Sequence, residues 1–194
     1  MKSVVKPMMD MWLRVRSSVQ DLVGDCRGLA AIEFAMIVPI MLVLFFGTDE
    51  FSGIAVNRKV TMMARTLSDL TSQNISITDA QLTNIFNASS AIMTPYSATP
   101  VRSTITELYV DPATLAARVQ WSKGSAPRAA GTTVAIPTAL QAGGSYLIYS
   151  EVSYAFVPSV GYVLKNSITL SDFTFTRPRQ STCVMYNTTV CTTT

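Results

Sequence analysis

The feature that most constrains this chain is one long apolar segment near its N-terminus. Residues 29–47 read LAAIEFAMIVPIMLVLFFG, and their one charged side chain is Glu33. An α-helix rises about 1.5 Å per residue, so about 20 residues cross a hydrocarbon core about 30 Å thick. Pro39 does not contradict a helix, because membrane helices tolerate proline where neighbouring groups satisfy the freed carbonyl. The sequence therefore predicts a transmembrane helix over residues 29–48.

A cleaved secretory signal is the alternative explanation of an apolar segment in this position. Such signals have an apolar core of about 7–15 residues, followed by a cleavage site made of small residues. The apolar segment here is longer, and it ends in Thr48, Asp49 and Glu50 with no Ala-x-Ala motif behind it. A retained helix is therefore favoured over a signal peptide that is removed.

Basic residues around the predicted helix indicate its orientation. Two of them, Arg58 and Lys59, lie shortly after the helix. Those before it are Lys2, Lys6, Arg14, Arg16 and Arg27. Because basic flanks tend to stay in the cytoplasm, we expect residues 1–28 to form a cytoplasmic leader. Residues 73–194 would then form the exported domain of a single-pass membrane protein.

The cysteines agree with this orientation. Cys183 and Cys191 belong to the segment CVMYNTTVC, in which their spacing suits a small disulfide loop. Disulfides persist in oxidising compartments, so we expect these two residues outside the cytoplasm and Cys26, on the leader side, inside it. Two free thiols on a flexible tail are the alternative, because spacing alone does not show pairing.

Several classes of function are disfavoured by what the sequence lacks. It contains no histidine, which removes the commonest general base and the commonest zinc ligand. It has no Cys-x-x-Cys pair, no Walker loop and no Gly-x-Gly-x-x-Gly turn. The net charge of +3 is not arranged as a basic stripe interleaved with aromatic residues. We therefore expect no enzymatic activity, no metal or other cofactor, and no nucleic-acid partner.

Apolar spacing predicts two helices. An apolar stripe with steps of three or four residues continues the membrane helix to about Ser72, so that residues 29–72 form one long helix. The stripe consists of Val56, Val60, Met63, Leu67 and Leu70. Thr78 then begins a short helix, with Gln81 as its capping-box partner. The apolar face of the short helix consists of Leu82, Ile85, Phe86, Ile92 and Met93.

Beyond a linker at residues 94–100 the apolar period changes to two, which indicates strands. We predict an antiparallel sheet of about four strands, and hence an α+β fold. The strands are 101–110, a hairpin partner, 145–156 and 167–177. The inward side of the hairpin partner would consist of Leu115, Ala117, Val119 and Trp121. In the last strand the apolar register shifts between Leu170 and Phe173, which indicates a β-bulge at residues 171 and 172.

A second informative group of residues lies at the start of the apolar segment, where the chain reads RGLAAIEF. Arg27 and Gly28 stand at the expected membrane edge, and Glu33 follows five residues after the glycine. A carboxylate near the bilayer centre costs roughly 2.5–3.5 kcal/mol, so it usually has a partner. Alternatively, Glu33 lies close enough to the helix start to reach the interface and to favour the positive end of the helix dipole. The residues alone leave both explanations open.

RGLAAIEF resembles the cleavage sites of type IV prepilins, most closely those of the Flp/Tad (tight adherence) subgroup. The longer stretch 27–52 resembles the N-terminal block of TadE-like pilus assembly proteins, the minor pseudopilins of that system. The features that carry the resemblance are Glu33-Phe34, Pro39 in mid-helix and the acidic–aromatic pair Glu50-Phe51. The later segments EVSYAFVPSVG and TLSDFTFTRPR resemble the sheet segments of the family more loosely.

This resemblance implies that a membrane aspartyl prepilin peptidase cuts after Gly28 and leaves Leu29 as the new N-terminus. Glu33, beside Phe34, could then neutralise the new α-amine of its own or a neighbouring subunit in a low-dielectric bundle. The implied function is that of a minor pseudopilin in the assembly of an adhesive pilus. Its partners would be the peptidase and other Tad pilus subunits, and association with the pilus itself is compatible with this role. An uncleaved, signal-anchored periplasmic protein that binds an envelope partner is the alternative.

Overall fold

The computed structural model describes residues 27–157 and 167–191. The predicted leader up to residue 26, with Cys26, lies outside the described residues. Two compact units divide the chain between Thr48 and Asp49. Helix α1, Arg27–Ser72, includes Pro39 and contributes residues to both units.

Helix α1 also bears on the membrane prediction. None of the helices in the two described ranges combines the length and the hydropathy that a membrane crossing requires. The predicted transmembrane helix over residues 29–48 is therefore not confirmed.

The second unit is built around an antiparallel sheet. In chain order the strands are β1 Ser76–Ile77, β2 Val101–Val110, β3 Ala117–Gly124, β4 Thr133–Val134, β5 Tyr146–Phe156, β6 Ile168–Thr176 and β7 Met185–Tyr186. Five of them form one sheet in the order β4-β3-β2-β5-β6, and β1 pairs with β7 in parallel. The four long strands confirm the predicted α+β fold and its sheet. The three two-residue strands were not predicted, because two residues are too few to show alternation.

One face of the sheet packs against the C-terminal part of α1. The buried apolar residues of the helix are Val56, Val60, Met63, Ala64 and Leu67. They form one core cluster with Ile105, Ile148 and Val152 of the sheet. Burying a large apolar side chain contributes roughly 1.5–3 kcal/mol, so this stripe is the main attachment of the helix to the sheet. Of the predicted stripe, Leu70 alone is only half-buried.

Hydrogen bonds fix where α1 lies on the sheet. Thr61 Oγ1 donates to Asp172 Oδ2 at 2.5 Å. Ser150 Oγ on β5 donates to the carbonyl of Ala64 at 2.6 Å. Because both bonds are short and directional, they define the register of helix against strand, which apolar contacts alone leave loose.

Helix α2, Asp79–Ser90, follows β1 and leads into a single 3-10 turn at Ala91–Met93. The predicted capping box is present: the Gln81 amide donates to Thr78 Oγ1 at 3.3 Å, and the Thr78 amide donates to Gln81 Oε1 at 2.9 Å. Lys59 connects α1 to the 3-10 turn, because its ammonium group donates to the carbonyl of Ile92 at 2.8 Å.

The predicted bulge at residues 171 and 172 is wrong. Strands β5 and β6 pair without a break, with Glu151 opposite Phe173. The apolar register changes because the two faces of β6 carry different chemistry. Asp172 faces α1, where it accepts the hydrogen bond from the helix, whereas the Phe173 ring packs 5.9 Å from the Tyr149 ring on the opposite face.

A register shift occurs instead between β2 and β3. Glu107 pairs with Trp121, and the next residue, Leu108, pairs with Val119. One additional residue in β3 therefore turns Trp121 toward α1 while Val119 faces the other side. The prediction that Leu115, Ala117, Val119 and Trp121 share one inward side is therefore wrong. Leu115 lies in the turn before β3, with a φ of 56°.

The sheet face opposite α1 is called the outer face here, and it carries a smaller core. Its buried residues are Leu108, Val110, Ala117, Val119, Leu147 and Tyr149. The connection between β3 and β5 packs on this cluster through Val134, Ile136 and Leu140. Both faces of the central strands are thus covered, as their nearly continuous burial from Thr104 to Val110 requires.

The residues Cys183–Cys191 form the C-terminal loop, which a disulfide between its two end residues closes. The Cα atoms of the two cysteines are 6.4 Å apart. The amide of Met185 donates to the Ile75 carbonyl at 3.0 Å, and that of Asn187 donates to the Ile77 carbonyl at 2.9 Å. These bonds pair the end of the chain with the segment that follows α1.

Candidate functional site

The apolar segment, residues 29–47, is the first candidate site. Its large exposed side chains are Ile32, Phe34, Met36, Ile37, Ile40, Met41, Leu42, Val43, Leu44 and Phe45. They occupy every side of the helix, whereas a helix that packs on one surface has a single apolar stripe. Phe34, for example, is 70% exposed. The segment therefore presents apolar side chains on all sides of the helix.

Gly28 lies exposed in the first turn of α1. A Cβ atom built on it would meet no atom within 4 Å, so packing does not require a glycine at this position. The first amides of a helix lack intrahelical partners, and helix ends fray. The bond between Gly28 and Leu29 lies in the first described turn of α1.

Glu33 and Phe34 follow Leu29 by four and five positions. Residues four apart in a helix are neighbours on one face, roughly 6 Å apart. Glu33 thus lies one turn from the place where a freed Leu29 amine would be. It is exposed, and no described residue forms a hydrogen bond or ion pair with it.

Residues 28–66 match the sequence model of the TadE-like protein family. This part of the chain is TadE-like. The match confirms the resemblance that was drawn from residues 27–52. The chain has no significant match among curated proteins or among solved structures.

The TadE-like segment spans two different environments. Its first part is the exposed apolar segment. Its last part, from Val56 to Ala64, belongs to the buried stripe that packs on the sheet. The residues that match the family thus include both exposed apolar side chains and a portion of the core of the second unit.

Glu107 is a buried carboxylate that the sequence patterns did not single out. Its side chain is 1% exposed, and its Oε1 accepts a hydrogen bond from the Val184 amide at 2.6 Å. The Val184 carbonyl accepts a hydrogen bond from Trp121 Nε1 at 2.8 Å. Burial raises the pKa of Glu107 to about 7, although hydrogen bonding to Val184 and Trp121 opposes that shift. Glu107 and Trp121 together hold the C-terminal loop on the sheet.

One signal for Glu107 was present in the sequence. It occupies a position of β2 whose neighbour two residues earlier, Ile105, is buried against α1. A carboxylate in such a position needs hydrogen-bond donors. The donor comes from Val184, 77 positions away, so no local pattern reveals it.

The predicted cysteine pair lies in the C-terminal loop, where the structure contains the disulfide. Next to it, the Tyr186 ring lies 5.7 Å from the Trp121 ring, and the Tyr186 hydroxyl donates to Asp79. In the part of the chain that the structure describes, no three His, Cys, Asp or Glu side chains lie close enough together to bind a metal ion.

Proposed function

We propose that this protein is a minor pseudopilin that contributes to the assembly of a Flp/Tad-type adhesive pilus. The observation that carries the proposal is the TadE-like segment, whose first part exposes apolar side chains on every side of a helix. Such a helix serves to insert among apolar partners and not to cover its own domain. The role is structural rather than enzymatic, and other Tad pilus subunits are the expected partners.

In this proposal the apolar segment anchors the protein in the bacterial inner membrane as a single span. The basic residues that precede it support a cytoplasmic N-terminus. The domain from residue 73 onward is then periplasmic, and the oxidising periplasm suits the disulfide of the C-terminal loop.

The proposal includes processing by a prepilin peptidase after Gly28. Two observations support this position: the glycine is exposed with open space around it, and it lies in the first turn of α1. Cleavage there would free the amine of Leu29 one helical turn from Glu33, so that the two opposite charges lie close together.

N-terminal sequencing of the membrane-extracted protein tests the processing step. We expect Leu29 as the first residue when the cognate peptidase is present and the intact leader when it is absent. Gly28→Val should block cleavage and leave insertion unchanged, because the apolar segment and its basic flank are intact. Gly47→Val is the matched control, since this glycine of the same helix also has no atom near a built Cβ. Intact protein in the presence of the peptidase would favour the uncleaved, signal-anchored alternative.

A deletion strain tests the assembly role itself. Cells without this protein should lose surface pili, and the wild-type gene should restore them. Normal piliation without the protein would overturn the proposed function, whatever the result of the sequencing experiment.

A further inference from the structure

The outer face of the sheet contains a polar cleft of about 240 Å³, which is called the outer-face cleft below. Three neighbouring strands form its floor. In one row across them Arg102 lies opposite Ser153, which lies opposite Ser171. In the next row Glu151 lies opposite Phe173. The cleft does not involve the TadE-like segment, so the proposed function does not account for it.

A fixed ion pair forms one wall of the cleft. Arg128 Nη2 donates to Glu151 Oε1 at 2.8 Å, and Arg128 Nη1 donates to Glu151 Oε2. The guanidinium group lies 5.3 Å from the centre of the Tyr149 ring, whose hydroxyl also donates to Glu151 at 2.8 Å. Burial would raise the pKa of Glu151, but hydrogen bonds from Arg128 and Tyr149 lower it overall. Glu151 is therefore ionised, and Arg128 neutralises its charge.

Arg102 is the second cation of the cleft. It forms no ion pair with any carboxylate of the described residues. Asp172 also borders the cleft, but its carboxylate accepts hydrogen bonds from Thr61 of α1 and from the Phe173 amide. The guanidinium of Arg102 is thus available to a ligand, beside the hydroxyls of Ser153 and Ser171.

We propose that the outer-face cleft binds an acidic sugar unit, with its carboxylate on Arg102 and its ring against Phe173. A guanidinium group recognises a carboxylate through two parallel hydrogen bonds. Phe173 is 57% exposed at the rim of the cleft, where an apolar ring can cover the C–H face of a sugar. The neighbouring serine hydroxyls can donate to and accept from ring hydroxyls, and the Glu151 carboxylate can accept from them.

The size of the cleft favours one ring over a longer ligand. Clefts that enclose drug-sized molecules measure about 300–1,000 Å³, whereas this one measures about 240 Å³. An extended acidic peptide would leave most of its side chains outside, whereas one sugar ring places its carboxylate, hydroxyls and C–H face within reach of the groups named above.

Calorimetric titration of the full-length protein with glucuronate tests the proposal. We expect binding of glucuronate, and affinity for glucose at least about tenfold lower, because a hydrogen-bonded charge contributes at least that factor. Glutamate, which has carboxylates but no ring, should also bind more weakly. Equal affinity for glucose would overturn carboxylate recognition, and equal affinity for glutamate would overturn the choice of a sugar.

Two arginine variants locate the site. Arg102→Gln should abolish glucuronate binding, whereas Arg118→Gln should retain it, because Arg118 pairs with Asp111 outside the cleft. Phe173→Ala should weaken glucuronate binding while leaving the thermal unfolding temperature close to that of the wild type, since the ring is largely exposed. No glucuronate binding by the wild type, or unchanged binding by Arg102→Gln, would overturn the proposal.

Discussion

The Val184 amide donates a 2.6 Å hydrogen bond to the buried carboxyl group of Glu107, which lies 77 positions earlier in the chain. This bond brings the C-terminal loop onto the central strand of the sheet. Trp121 completes the arrangement by donating to the carbonyl of the same residue, Val184. Both backbone groups of one loop residue are therefore satisfied by side chains of the sheet.

Glu107 makes the stability of the domain depend on pH. Burial raises its folded-state pKa to about 7 from an ordinary value of 4.5. The folded state therefore holds the proton more tightly than the unfolded state, and stability is greatest below the unfolded pKa and falls as pH rises through 7. The loss is at most about 3 kcal/mol by the usual 1.36 kcal/mol per unit. Glu107→Gln keeps the acceptor oxygen and should flatten this decline.

Urea unfolding at pH 5 and pH 8 measures the effect. Asp69→Asn, at a carboxylate that pairs with Arg179 on the surface, serves as the control and should keep the decline of the wild type. Equal declines in the wild type and in Glu107→Gln would show that another group titrates.

The disulfide of the C-terminal loop should contribute roughly 2–3 kcal/mol to stability, because it closes a short loop in the unfolded chain. We expect the double change Cys183→Ser with Cys191→Ser to lower the urea midpoint. Trp121 fluorescence should shift to the red as its contact with the loop loosens. Cys26→Ser, in the leader, is the control and should change neither quantity.

Glu33 should matter for assembly more than for membrane insertion. Glu33→Leu removes a costly carboxylate from the apolar segment, so insertion should be equal or better. Pilus formation and recovery of other pilus subunits by pull-down should fall, because the partner of a freed amine is lost. Met36→Leu, an apolar exchange in the same helix, should have no effect.

Leader cleavage must be measured in the same Glu33→Leu strain, since a block in processing would give the same phenotype. Normal cleavage together with wild-type piliation would contradict the proposed pairing of Glu33 with a freed amine. Glu33 would then be an interfacial residue at the helix start.

The orientation of the chain is open to a direct test. A reporter that is active only in the periplasm should be active when fused after Thr194 and silent when fused before Met1, because basic residues precede the apolar segment. The reverse pattern, measured at equal expression, would contradict both the basic-flank argument and a periplasmic location of the disulfide.

The sequence predicts the long strands and the capped helix because their signals are local. The β-branched and aromatic residues of β2 and the Thr78–Gln81 capping box can be recognised without knowledge of distant residues. The prediction errors arise where residues distant in the sequence determine which face of the sheet a side chain occupies. Phe173 faces outward because Tyr149 lies on that face, and the misplaced bulge followed from assuming one apolar side.

The candidate sites also differ in whether neighbouring residues in the sequence reveal them. The motif around Gly28 and Glu33 is contiguous, so the sequence reveals it. The outer-face cleft combines Arg102, Arg128 and Glu151 from three separate elements. The strand register brings Arg102 and Glu151 together, and the path of the loop between β3 and β4 brings Arg128 to them; neither can be read from the sequence.

The parallel pairing of β1 with β7 has a mechanical consequence. A force between α1 and the end of the chain would reach β1 at its start and β7 from both ends, because the disulfide joins Cys191 to Cys183 on the other side of β7. The bonds at Met185 and Asn187 would then share the load and would not open one after another. Under tension the load would therefore divide between the two arms of the C-terminal loop, and the whole loop would have to leave β1 as one unit.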